Sequence, residues 1–414
     1  MSHNYRSVTF LLGLIITAPI YGQKKADLSR FVVAGDSLSA GYQNSQLIES
    51  GQVHGYANVI ATQAGVSLNL PLLPYPGYPQ VSAVPPSYAV VTTAYPVARR
   101  NYQQTLDVAV PGFTVAVLVG YPACAPVLDI PVVVQVMAAE ILNPGCPSPF
   151  PTELSEAARL APTTAILWIG SNDALFSLLF GGPPTPTLAF EGAYHLAAGT
   201  MAGASGHLVV ANIPDVTLTA YLTSVPKLAA ILHLDAPTVE FVFHLAPDDM
   251  VTPYAFAAIQ AMGTNLTPLP ESIPQGPVVI RAGTLATIRA AVLGYNAAIA
   301  QEAVANHATL VDIYSLINDL AANGVLVGGQ TLTTDFMGGL FSLDGVHPTN
   351  TGYAIIANEF IKTMNSFLRT NIPLADVVKV SQHDPLIFPP IVQGASTGHV
   401  DVGMADALRH LHRQ

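Results

Sequence analysis

A serine hydroxyl becomes a useful nucleophile only beside a base, and the base works best when an acid orients it. Three short stretches of this chain carry those residue types. "FVVAGDSLSAGY" (31–42) sets Ser37 directly after an apolar run, between Asp36 and Leu38 and with glycines on both sides. "FSLDGVHPTNTGY" (341–353) sets Asp344 and His347 three residues apart across a glycine turn. That spacing lets the carboxylate meet one imidazole nitrogen while the other faces outward. "WIGSNDAL" (168–175) sets Asn172 just past a buried run, where its amide is a candidate donor to an oxyanion. Gly112, in "AVPGFTV", can offer a backbone N–H to the same spot. Each stretch also has a bland reading: a tight turn capped by Asp36, a polar turn whose histidine merely caps, an ordinary loop at 170–173. What separates the readings is convergence, because all of these features fall at the ends of strands.

The positioning elements follow from the apolar pattern. "RFVVAG", "TTAILWIGSND", "GHLVVANIPD" and "ATLVDIY" read as short strands, rich in β-branched residues and ending in polar clusters. Residues 56–65 and about 284–307 have helical spacing, and a further helix opens at Thr349 or Asn350 behind Pro348. "LDVAVPGFTVAVLVG" has strand character that turns at Pro111-Gly112, and residues 124–151 mix a Val-rich run with a Pro/Cys loop. Strands alternating with helices predict a parallel sheet covered on both faces. In such a sheet Ser37, opening a helix after the first strand, aims its N–H at the crevice beyond the strand ends. Two long apolar, Pro-punctuated stretches, about 67–100 and 181–276, read as insertions. The first suits a lid or substrate-facing loop, and the second a helical cap over the sheet. From 371 to 414 the periodicity fades. His383, His399, His410 and His412 there suit a solvated tail better than a metal site.

Composition bounds the rest. The 414 residues are half hydrophobic and only 10% charged, enough for a sizeable core in one large α/β domain or two average ones. A net charge of −11 without a basic block argues against nucleic acid as a partner. Arg6 ahead of "VTFLLGLIITAPIY" gives residues 1–22 the form of a signal peptide, cleaved after Gly22, with a retained short anchor as the alternative. The expected location is therefore secreted or periplasmic. Cys124 and Cys146 can form one disulfide in an exported chain, or stay as two buried thiols; neither has the spacing of a zinc site.

Taken together, "GDSLSAGY", "GSND" and "DGVHPTNTGY" resemble the blocks of the GDSL-type serine hydrolases of the SGNH superfamily, in the expected order, over about residues 30–369. The resemblance implies a flavodoxin-like three-layer α/β/α sandwich that hydrolyses carboxylic esters without metal or organic cofactor. It implies Ser37 as nucleophile, His347 as base and Asp344 orienting it. Ser37 N–H, Gly112 N–H and the Asn172 amide would form the oxyanion hole, with Gly120 in "LVGYP" competing for the glycine position. The apolar insertions favour lipid or aryl esters, with acetyl esters open, and peripheral contact with a lipid surface. Two other functions use the same residues differently: an acyltransferase with an alcohol acceptor, and a non-catalytic hydrophobe-binding protein.

Overall fold

Four parallel strands form the centre: β1 (Phe31–Gly35), β2 (Thr164–Trp168), β3 (His207–Ala211) and β4 (Thr309–Val311), hydrogen-bonded in that order. Val33 stands beside Ile166, Ile166 beside Val209, and Val209 beside Thr309. On the outer side of β1 residues 106–110 run parallel to it. Val33 N–H donates to Leu106 O, and Val108 and Val110 donate to Val33 O and Gly35 O, all within 2.9–3.1 Å. The segment that follows β1 in sequence thus lies on one side of it and β2 on the other. This is the flavodoxin-like order, and its reversal beside β1 opens a crevice at the carboxyl ends of the strands. The computed structural model describes residues 25–79 and 98–387. The expected signal peptide, the middle of the first insertion, and His399, His410 and His412 lie outside the described residues.

Strand periodicity makes the three layers. Phe31, Val33, Ile166, Trp168, Val209 and Ala211 point to one face and pack under α1 (Tyr56–Ala64), α11 (Ile313–Asn323) and α12 (Asn350–Phe367). Val32, Ala34, Ala165, Leu167, Leu208 and Val210 point to the other. They pack under α2 (Val115–Gly120), α4 (Glu153–Arg159), α6 (Thr187–Ala204) and α10 (Ala282–Ala305). Both faces are covered, which is why the strands read as continuous apolar runs.

Four expectations need correction. Ser37 does not open a helix: residues 36–41 make one tight turn, with Ala40 N–H on Asp36 O at 3.1 Å. Asp36 Oδ1 takes the Leu38 N–H at 3.0 Å, and Gly41, at φ +72°, turns the chain away before a second turn can form. The Val-rich residues 115–120 are helix rather than strand, because Thr114 caps them and Val115 and Leu118 share one buried side. The stretch 181–276 is not all insertion, since α6 and β3 belong to the framework. Phe190, Tyr194, Ala197 and Met201, at helical spacing, cover the sheet. The inserted part is α7 (Val225–Leu232), α8 (Ala236–Phe243), α9 (Pro253–Met262) and a three-stranded antiparallel sheet. It has its own core of Val225, Leu228, Val239, Phe243 and Val251. Finally, 371–387 docks on α12 through a few buried residues, although most of it, His383 included, stays exposed. Asn358 and Asn365 of α12 hold the backbone of Ala375 and Ile372, and Asp384 Oδ2 accepts from Thr351 N–H and Oγ1 at 2.7 and 2.8 Å. His383 Nδ1 pairs with Lys379 O.

Candidate active site

β1 ends at Gly35, so the turn after it lifts Ser37 to the lip of the crevice, where it is 7% exposed. His347 reaches the same point from the loop before α12, with its Nε2 2.8 Å from Ser37 Oγ. Its Nδ1 lies 2.8 Å from Asp344 Oδ2. The three side chains, which stand 310 residues apart at their extremes, form one continuous chain of hydrogen bonds.

Asp344 is a saturated acceptor. Oδ1 takes the N–H groups of Val346 and His347 at 2.9 and 2.8 Å, while Oδ2 takes Ser45 N–H at 2.8 Å besides the imidazole. Burial alone would raise its pKa, but the neighbouring His347 and these donors outweigh burial and bring it down to about 2. The carboxylate is therefore ionised, which puts the imidazole proton on Nδ1 and leaves Nε2 free to accept from Ser37 Oγ–H. An arrangement of this kind can take the hydroxyl proton as the oxygen attacks a carbonyl, and hand it on to a leaving group.

A loop that the sequence did not single out holds the histidine in place. Asn44 Oδ1 accepts from Leu343 N–H at 2.9 Å, and Asn44 N–H donates to Ser342 Oγ at 3.1 Å. Gln43 Nε2 donates to Pro348 O at 3.1 Å and Asn350 Oδ1 at 3.0 Å. The Tyr42 ring rests 4.7 Å, centroid to centroid, from the imidazole, its hydroxyl fixed on Ser45 O. Residues 42–45 thus clamp the loop that carries Asp344 and His347. Asn44 and Ser45 both have positive φ, a local cost that the clamp offsets.

Gly112 and Asn172 line the same cleft as Ser37 and His347. Asn172 is the second residue of α5 (Ser171–Phe180), and its Nδ2 donates one proton to Phe113 O at 2.8 Å. The next residue, Asp173, accepts Val115 N–H on Oδ2 at 3.0 Å. Two adjacent side chains of α5 therefore hold the chain on either side of Thr114, and so hold Gly112. Gly112 has φ +85°, and a Cβ there would lie 2.8 Å from Val134 Cγ2. Among the described residues neither the Ser37 nor the Gly112 N–H donates to another group. Gly120, the competing glycine, is the last residue of α2 and is not among the residues lining this cleft.

The cleft has a volume of about 670 Å³. Val133, Val134 and Met137 of α3 (Val132–Leu142) form one wall, and Leu175, Phe176 and Leu179 of α5 another. Tyr221 and Tyr254 close it from the insertion, whose start is tied to the histidine loop by Tyr221 N–H on Gly345 O at 2.8 Å. Cys124 and Cys146, on the two flanks of α3, are joined by a disulfide.

The family profile described as GDSL-like Lipase/Acylhydrolase matches residues 31–360. No curated protein matches the chain. An alpha/beta hydrolase enzyme from the metagenome of Lake Arreo is 12% identical, over 84% of this chain and 99% of that chain, with a TM-score of 0.38. An acetylxylan esterase from Geobacillus stearothermophilus is 12% identical, over 82% and 96% of the two chains, at 0.38. The lipase/acylhydrolase from Enterococcus faecalis is 11% identical, over 84% and 100%, at 0.35.

Proposed function

The chain belongs to the GDSL-like lipase/acylhydrolase family of SGNH hydrolases, and from that premise we propose that it is an exported esterase working through an acyl-enzyme on Ser37. His347 takes the Ser37 proton as the hydroxyl attacks the ester carbonyl. Ser37 N–H, Gly112 N–H and Asn172 Nδ2 receive the oxyanion. The alcohol leaves with the proton from His347, and water, activated by the same imidazole, resolves the acyl-enzyme. The observation that carries this reading is the pair of 2.8 Å contacts, Ser37 Oγ to His347 Nε2 and His347 Nδ1 to Asp344 Oδ2.

The walls of the cleft support an apolar acyl group as the part it holds. Exposed Phe180 on its lining, with exposed Leu128 and Val132 next in the chain to the lining residues Asp129 and Val133, supports a lipid surface as one source of substrate. Export is supported by the apolar stretch behind Arg6 and by the disulfide.

The test is a series of p-nitrophenyl esters from acetyl to palmitoyl on wild type and Ser37→Ala. Wild-type kcat/KM should rise from acetyl to the middle of the series, and Ser37→Ala should lose nearly all turnover while keeping its circular dichroism spectrum. A Ser37→Ala variant that turns over at the wild-type rate would refute the nucleophile, and a steep preference for acetyl would refute the apolar acyl group. A run with added alcohol separates hydrolysis from transfer, because a transferase would yield mostly the new ester.

A further inference from the structure

The ladder between β1 and residues 106–110 breaks two residues before Ser37. In a regular parallel pair, a residue facing its neighbour donates to it on one side and accepts from it on the other. Val33 does both, donating to Leu106 O and accepting from Val108 N–H, each at 2.9 Å. Gly35 accepts from Val110 N–H at 3.1 Å, but its own N–H leaves the ladder. It donates instead to Glu153 Oε1 at 2.7 Å, a group 118 residues away in sequence. The regular acceptor would be Val108 O.

Glu153 is the first residue of α4, set there by a capping box between Thr152 and Ser155, and it is wholly buried. Oε2 has no hydrogen-bond partner among the described residues. Burial pushes the carboxyl well above the usual carboxylate range, against the pull of the Gly35 N–H and with the help of buried Asp107 and Asp36. Burying a carboxyl beside the sheet is costly unless a hydrogen bond offsets it, and here that bond is the one to the Gly35 N–H. The two chain ends it touches or borders identify what the bond does. Gly35 leads to Ser37 in two residues, and Val110 leads to Gly112 in two.

We propose that Glu153 is a positioning residue that sets the separation between the end of β1, which carries Ser37, and the end of the neighbouring segment, which carries Gly112. The proposal rests on the reading of Ser37 as nucleophile and Gly112 as an oxyanion donor. Without the acceptor at Glu153, the Gly35 N–H is free to close on Val108 O. The ladder then zips by one more bond, and the turn bearing Ser37 shifts relative to Gly112. Displacements of about 1 Å at a reacting centre can cost on the order of 10²-fold.

The test uses three variants of the full chain. Glu153→Gln keeps length and the acceptor oxygen; Glu153→Met keeps bulk without it; Glu153→Asp keeps the acid but withdraws it by one methylene. On a soluble p-nitrophenyl ester, Glu153→Gln should stay within about threefold of wild-type kcat, while Glu153→Met and Glu153→Asp should fall about 10–100-fold with KM nearly unchanged. Inactivation by a serine-directed phosphonate should slow in the same order, because it uses the same attack geometry. A merely structural role would lower the melting point and leave kcat below the melting point alone. If Glu153→Met does not fold, the Gln and Asp variants decide between them. Wild-type kcat in folded Glu153→Met or Glu153→Asp overturns the proposal, as does a loss confined to KM or a Glu153→Gln as poor as Glu153→Met. Ser37→Ala runs alongside. If it is active, the reading of the site has failed; if it is inactive while the Glu153 variants are unaffected, only the positioning role has.

Discussion

Asn172→Ala should be worse than the loss of one hydrogen-bond donor. In wild type one amide proton of Asn172 holds Phe113 O at 2.8 Å, and the amide also borders the cleft beside Ser37 and Gly112. The first loss is the direct one: removal of a single oxyanion donor costs about 10²–10³ in kcat, or about 2.7–4 kcal/mol of transition-state stabilisation. The second is indirect. Phe113 O loses its partner, at about 1–3 kcal/mol of stability, and the Gly112 turn keeps its own Phe113 N–H to Val110 O bond at 3.3 Å and the tie through Asp173 Oδ2 to Val115 N–H at 3.0 Å. A loosened Gly112 N–H weakens a second donor, so the expected fall in kcat is at the upper end, about 10³. KM should change little, because both donors serve charge that develops in the transition state. Asn172→Asp is the sharper comparison: it is isosteric, offers no N–H to either Phe113 O or the oxyanion, and brings negative charge where negative charge develops. It should be at least as damaging as Ala. The assay is steady-state hydrolysis of p-nitrophenyl butyrate, with the rate of phosphonate inactivation as a single-step check on attack. A large rise in KM with kcat intact would make Asn172 a ground-state binding residue. Asn172→Asp turning over like wild type would refute the oxyanion assignment outright.

Asp344→Asn should lower kcat by something on the order of 10⁴ with little change in KM. Its single oxygen can serve either the Val346 and His347 N–H pair or the imidazole, and turned toward the backbone it sets an NH₂ against Nδ1; turnover within tenfold of wild type would point to a different acid. Thermal stability should fall as pH rises from about 4 to about 8, most steeply at the acid end, because burial raises Asp173 to about 6, Asp36 to about 7 and Asp107 to about 8. Each folded group keeps its proton after the unfolded chain has released it, so each costs about 1.4 kcal/mol per pH unit from about pH 4 up to its own folded pKa and nothing more above it. Melting curves across the range measure the slope, which Asp107→Asn should flatten, whereas the stabilisation from Asp344, with its pKa held down to about 2, is lost only in stronger acid.

Where a segment's shape follows from its own residues, it was legible in the sequence. An apolar run broken by a polar cluster marks β1, β2, β3 and β4, and Gly65 at φ 70° stops α1 where the glycine stands in the sequence. Where shape depends on what lies opposite, local pattern misleads. The β-branched runs in α2 and α3 look like strands, but Thr114 caps one, Pro131 opens the other, and both bury their apolar sides against the core. The Ala- and Gly-rich α6 sits beside Pro-rich loops and so merged with the insertion, although its buried residues recur at helical spacing over the sheet. The docked residues 371–387 carry no periodicity because three side chains elsewhere hold them, and nothing local marks that.

The same division runs through the site. Ser37, Asn172, Asp344 and His347 are visible because each breaks an apolar run with a group whose chemistry is its own. Residues 42–45 are invisible for the opposite reason: their amides and backbone act on a loop about 300 residues away, and in sequence they are an ordinary polar stretch. Glu153 is hidden deeper still, reading as an acid in the first turn of a short helix, where acids are common. Its burial and its 2.7 Å contact with Gly35 N–H set it apart. An acid serving the helix terminus would face water and stay ionised. This one faces the sheet, has its pKa pushed up by burial, and takes the N–H that a carbonyl of the strand pairing would otherwise accept. With the roles proposed here, this site has two sets of residues: those that would meet the ester, which the sequence advertises, and Glu153, which would fix the gap between neighbouring strand ends and which only the ladder of hydrogen bonds reveals.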